Sequence, residues 1–109
     1  MIHTPVCDLL GIEFPVIQAG MGPFTSAPLV AAVSNAGGLG TIGASARSTE
    51  DFKKNLTQIY SLTDRPFAVN HTIPRTGLNE EAFILTISAK PRLISFSLGD
   101  PGEYVKRAH

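Results

Sequence analysis

GGLGTIG, residues 37–43, spells Gly38-x-Gly40-x-x-Gly43, the pattern with which a dinucleotide-binding turn holds a pyrophosphate. Such a turn follows a strand and opens a helix, so that the helix N-terminus carries the anion. In this chain the order is reversed. Upstream, Leu29, Val30 and Val33, padded with Ala31 and Ala32, form the apolar stripe of a helix that Asn35-Ala36-Gly37-Gly38 stops. Downstream, residues 39–44 (LGTIGA) read as a short buried strand. The acidic residue that a dinucleotide site needs about 20 positions further on would fall inside a polar helix near residues 54–60. The glycines therefore read as a helix-to-strand turn and as points of close backbone approach.

Working outward, the same alternation recurs. Residues 14–19 (FPVIQA) form a first apolar strand, closed by Gly20-Met21-Gly22-Pro23. Thr25 or Ser26 caps the following helix, with Pro28 in its first turn. After the second strand, Ser48 or Thr49 opens an amphipathic helix with Phe52, Leu56, Ile59 and Tyr60 on one face and Lys53, Lys54 and Gln58 on the other. A third strand, residues 66–70 (PFAVN), leads into a polar loop at residues 72–77. Asn79, Glu80 and Glu81 open the next helix, whose apolar content is Ala82, Phe83, Leu85, Ile87 and Ala89, and Pro91 ends it. Residues 93–99 (LISFSLG) make a fourth strand, and residues 103–109 a last helix. Buried strands alternating with amphipathic helices predict an α/β fold of parallel β/α units joined by right-handed crossovers, about four units in one domain over residues 1–109.

Composition narrows the function classes. The chain has 109 residues, nine basic and nine acidic, so no net charge recruits nucleic acid or an anionic membrane. No apolar run reaches the roughly 18 residues of a membrane span, and the N-terminal stretch lacks the basic and apolar regions of an export signal, so a cytoplasmic location is expected. Cys7 has no second thiol to pair with or to share a metal. His3, His71 and His109 are scattered and read as polar loop residues, and no metal-ligand spacing occurs.

In parallel α/β folds ligands sit at the carboxyl ends of the strands. Those ends carry Gln18, Ala19, Gly20, Met21 and Gly22 after the first strand, Gly43 and Ala44 after the second, Asn70 and His71 after the third, and Ser97 and Gly99 after the fourth. The set is small, amide-rich and uncharged until Asp100. It suits a flat, uncharged ring held by main-chain hydrogen bonds and one or two amides.

PVIQAGMG, VSNAGGLGTIGA, PFAVN and LISFSLGDP, in that order, resemble the start of the nitronate monooxygenase family, formerly the 2-nitropropane dioxygenases. The resemblance covers nearly the whole chain. It implies the first half of an FMN-dependent TIM-type (β/α)8 barrel whose parent protein oxidises alkyl nitronates with molecular oxygen. By the same resemblance, the loop containing Ala19, Gly20, Met21 and Gly22, with Gln18 before it, lies against the flavin ring, and Asn70 contacts the FMN. The family loop runs closer to Gln-Ala-Pro-Met-Ala-Gly, and the missing proline before Met21 makes this loop more flexible. His71 stands where an apolar residue is usual, and a local loop role is expected for it. The family's catalytic His and its phosphate-binding loops correspond to positions beyond residue 109, so no catalytic residue is assigned. A half barrel also exposes strand edges, which predicts pairing with a second copy or with a C-terminal half. The FMN-dependent enoyl-acyl carrier protein reductases share this N-terminal pattern and give a second enzymatic expectation. A third is a non-catalytic half-barrel module that dimerises through its strand edges.

Overall fold

A computed structural model describes residues 2–74 and 77–109; Arg75 and Thr76, within the loop expected at residues 72–77, lie outside the described residues. Helix α1 (Pro5–Leu10) starts on Pro5 and ends at Gly11, whose left-handed φ of 68° lets its N–H donate to the Cys7 carbonyl. Periodicity does not register in a helix this short. There follow a 3-10 turn (Gly22–Phe24), α2 (Ala27–Asn35), β1 (Gly40–Gly43), α3 (Thr49–Leu62), β2 (Phe67–Thr72), α4 (Glu80–Ala89), β3 (Leu93–Ser97) and α5 (Gly102–Ala108).

The three strands form one parallel sheet in the order β1-β2-β3. Gly43 pairs with Asn70, and Asn70 with Ser95. The expected first strand at residues 14–19 is reduced to one parallel bridge, Ile17 with Leu39. There the Gln18 N–H donates to Leu39 O at 3.0 Å, and Leu39 N–H donates to Val16 O at 2.9 Å. Beyond it a side chain replaces the ladder. The Gln18 amide oxygen accepts from Thr41 N–H at 3.0 Å and its nitrogen donates to Thr41 O at 3.1 Å. The main chain is thus released from the sheet while its hydrogen-bond partners on β1 stay satisfied.

Ser48 and Asn79 cap α3 and α4 as the sequence predicts, their side-chain oxygens accepting from Asp51 N–H at 3.0 Å and Ala82 N–H at 3.2 Å. In α2 the expectation needs correcting. Ser26 occupies the cap position without a side-chain bond, and Asn55 of α3 accepts from Ala27 N–H at 3.0 Å instead. The buried face of α2 is Ala27, Val30, Ala31 and Ser34, while Leu29 is 38% exposed. Helix and strand approach closely here: a Cβ on Gly40 would lie 2.2 Å from Val30 O, so the strand position must be glycine.

Two apolar clusters divide the molecule. On the helix side, Ile42 and Val69 of the sheet pack with Phe52, Leu56 and Ile59 of α3. Fully burying each large side chain contributes about 2 kcal/mol. On the other side, Leu39 and Ala68 at the start of their strands meet Cys7, Leu10 and Ile12. Arg92 secures this plug by donating to Leu9 O at 2.7 and 3.1 Å. The amino ends of the strands are closed by α1, and the carboxyl ends remain open.

His71 corrects the sequence reading. It lies within β2, not in a loop, with 2% of its surface exposed. Its ring stands among Phe52, Phe83 and Phe96, and its Nε2 is 2.8 Å from Thr86 Oγ1. The Thr86 hydroxyl proton goes to Ala82 O at 3.0 Å, so the ring N–H is the donor to Thr86. Burial pushes its pKa down to about 4 and keeps it neutral.

Candidate ring site at the carboxyl ends of the strands

The loop after Gln18 turns across the ends of β1 and β2. Gly43 lies beneath it: a Cβ there would come within 2.5 Å of Gly20 O and 2.6 Å of Gly22 O. Gly20 rests on Asn70, where a Cβ would lie 2.8 Å from Asn70 Cβ. The Gly-x-x-Gly at residues 40–43 is therefore spent on two close approaches, one to α2 and one to this loop. Neither cradles a phosphate.

Of the expected site residues, Gly20, Met21, Gly22 and Asn70 come together, with Ala19 leading into them. Gln18 is turned onto Thr41 and its own neighbour Ala19 O, a structural use of its amide. Met21 adopts a left-handed φ of 43° and is half exposed, and Gly22 follows at 54°. A methionine in that region stores backbone strain that the surroundings must hold.

Two residues that the sequence reading did not single out for the site, Thr25 and Arg47, do this holding, and a third, Ser95, holds Asn70. The buried Thr25 hydroxyl donates to Gly20 O at 2.7 Å and accepts from Gly43 N–H at 3.0 Å. The Arg47 guanidinium, 5% exposed, donates to Gly22 O at 2.9 Å and to Thr25 O, and pairs with Asp51 at 3.2 Å. Ser95 Oγ accepts from the Asn70 amide nitrogen at 2.8 Å. Thr25 carries the composition of a helix cap and Arg47 that of a surface cation, so neither announces itself in the sequence.

What the arrangement offers is a set of unused hydrogen-bonding groups. The N–H groups of Ala19, Gly20 and Met21 find no protein acceptor among the described residues, and Asn70 Oδ1 finds no donor. A cleft of ≈ 380 Å³ opens past the ends of β1 and β2, lined by Ser45, Arg47, Thr72, Leu78 and Asn79 among others; Ala19, Gly20, Met21 and Asn70 are not part of its lining. Unpaired main-chain donors next to an unpaired amide acceptor, in a glycine-lined and nearly uncharged mouth, complement a planar heterocycle that alternates acceptors with an N–H. The isoalloxazine ring of a flavin has that alternation along its pyrimidine edge, so the residues present fit it.

A parallel sheet with helices on one face, an α1 plug at the amino ends of its strands and open carboxyl ends makes this part of a TIM-type (β/α)8 barrel. The family described as nitronate monooxygenase matches residues 3–109, and the chain belongs to that family. It is 41% identical over 102 residues to a probable nitronate monooxygenase of Staphylococcus saprophyticus, covering 92% of this chain and 29% of that protein. A Mycobacterium tuberculosis protein named as a hydroxy-methyl-oxo-octahydro-indene-carboxyl-CoA dehydrogenase is 33% identical over 106 residues, covering 97% and 30%. Among solved structures, FabK from Thermotoga maritima superposes with a TM-score of 0.88 at 34% identity, covering 98% of this chain and 34% of that one. The chain thus spans about a third of the length of the relatives it matches. Among the described residues, no helix is long and apolar enough to cross a membrane.

Proposed function

We propose that this chain supplies the flavin-ring side of an FMN site in a protein that oxidises alkyl nitronates with molecular oxygen. The observation that carries the reading is the trio of unpaired N–H groups at Ala19, Gly20 and Met21 beside the unpaired Asn70 oxygen. Bound FMN would supply the electron acceptor for the nitronate and the centre that reacts with oxygen. This chain's own part is to bind and orient the ring. Main-chain donors of the loop hold its acceptor edge, Asn70 accepts from its N–H, and Gly20 and Gly43 keep the surface flat enough for close approach. Arg47 and Thr25 fix the loop by its carbonyls, so the loop that carries the unpaired N–H groups is braced before the ring arrives.

The partners that follow are a small nitronate and oxygen, in the cytoplasm. The free edge of β3 is where further barrel strands, from a C-terminal half or a second copy, would add. The likeness to FabK supports a second reading, an FMN-dependent enoyl-acyl carrier protein reductase that uses the same ring site with a nicotinamide as reductant. A half-barrel that dimerises without a cofactor is the non-enzymatic alternative.

Lumiflavin, which is the ring without ribityl phosphate, tests the reading on this chain alone. At roughly 0.3 kcal/mol per heavy atom, a ring of about twenty atoms binds with a Kd of tens of micromolar. Saturable quenching of lumiflavin fluorescence in that range supports the site. No quenching at millimolar chain concentration, with a colourless dimer on size exclusion, would establish the cofactor-free module in its place. In the full-length protein, oxygen consumption with propyl nitronate against oxidation of a nicotinamide with an enoyl thioester separates the two enzymatic readings.

A further inference from the structure

Ser95 was not among the expected site residues, and it has no bond to the loop. It lies opposite Asn70 in the β2–β3 register. Two acceptors of this one residue converge on the Asn70 amide nitrogen: Ser95 Oγ at 2.8 Å and Ser95 O at 3.4 Å. The carbonyl only accepts, so it favours nitrogen on this side, but at 3.4 Å it is weak; the hydroxyl at 2.8 Å, oriented as an acceptor beside it, supplies the bond that holds the amide from turning over. The two ends of the Asn70 amide are thereby fixed. Nitrogen faces β3, and Oδ1 faces the loop, 3.5 Å from where a Cβ on Gly20 would stand. Gly20, having no Cβ, leaves that oxygen uncovered.

We propose that Ser95 is a positioning residue which locks Asn70 as a hydrogen-bond acceptor, so that the site selects a ring bearing an N–H at its edge. The inference rests on the flavin-ring reading and adds a polarity to it. Oxidised flavin carries a single ring N–H, the imide at position 3, between two carbonyls. That is the group an acceptor flanked by main-chain N–H donors recognises. An unlocked asparagine would present either end, and the selectivity would disappear.

The test compares lumiflavin with 3-methyllumiflavin, in which the imide N–H is replaced by N–CH3, on the wild-type chain, Ser95→Ala and Ser95→Thr. Ser95 is half-buried on β3, and circular dichroism with thermal unfolding establishes that each variant is folded. The wild type is expected to prefer lumiflavin by about tenfold or more, the loss that accompanies an acceptor left unpaired. Ser95→Ala should bind lumiflavin within about threefold of wild type but lose most of the preference, and Ser95→Thr, which keeps the hydroxyl, should restore it. Equal binding of both flavins by the wild type, or undiminished preference in Ser95→Ala, overturns the inference and leaves the ring site standing. A wild-type chain that binds neither flavin overturns the ring site itself, and the ligand selection with it. As a second readout without ligand, the Asn70 side-chain amide protons should exchange more than tenfold faster in Ser95→Ala. Unchanged exchange shows that the serine does not hold the amide.

Discussion

Asn70 and His71 are consecutive polar residues on β2, and they occupy opposite worlds. Asn70 stands at the open mouth with its amide nitrogen held by Ser95 and its oxygen unpaired. His71 is sealed on the helix side among three phenylalanines, its ring N–H given to Thr86 and its charge suppressed. One residue of register separates a group available to a ligand from a group available only to the core. The lesson is that polarity in a strand marks a site only once the faces of the sheet are known. On the helix face a polar side chain is tolerated by being fully satisfied. On the mouth face it is useful by being half satisfied.

The comparison is broken most severely from the core side. Phe52, fully buried and edge-on to His71 at 6.2 Å between ring centres, should cost about 4 kcal/mol when replaced by alanine. Urea unfolding would show the loss, while any lumiflavin affinity of the remaining folded fraction stays close to wild type. A Phe52→Ala chain of normal stability would mean that the helix-side cluster is not the core described above.

The next effect is on pH. Burial lowers the His71 pKa from an ordinary 6.5 to about 4 in the folded chain, so the unfolded chain binds the proton more readily. The contribution of neutral His71 is complete above pH 6.5 and is lost as pH falls toward 4, amounting to about 3 kcal/mol over that window. Urea midpoints measured between pH 7 and pH 4.5 should fall accordingly. In His71→Leu that part of the pH dependence should vanish, because Thr86 retains Ala82 O as its acceptor. A dependence identical in wild type and variant would show that the histidine is not excluded from water.

The smallest effect on stability sharpens the other side of the comparison. Gly20→Ala places a methyl 2.8 Å from Asn70 Cβ, and a shift of the loop should relieve it for about 1 kcal/mol. The ring site should suffer more than the fold, with lumiflavin affinity falling at least tenfold as the methyl covers Asn70 Oδ1. An affinity unchanged in Gly20→Ala would place the ring elsewhere.

Much of this architecture is legible in the residues themselves. The Ser48 and Asn79 caps, the amphipathic stripe of α3 and the apolar strands at residues 39–44 and 66–70 are local signals, and each element forms where its pattern lies. The buried stripe of α2 is not legible from apolarity, because Leu29 is more apolar than Ala31, yet the helix is turned so that the main chain at Val30 lies against Gly40 and Ala31 is buried while Leu29 is not. Gln18, expected at a strand end, has both ends of its amide on Thr41, where it stands in for the strand's own peptide group.

By itself, the sequence determined the order of the elements, the parallel β/α class and the uncharged, glycine-rich composition of the strand ends, because these follow from propensity, capping and periodicity within a few residues. Tertiary structure alone decided which polar side chain faced the mouth, which glycines were needed for contact, and which residues braced the loop. Those outcomes depend on pairings between residues far apart in the chain, such as Gln18 with Thr41, Arg47 with Gly22 and Asn70 with Ser95. Parallel strands meet only through long crossovers, so no local pattern records which residue will lie opposite which.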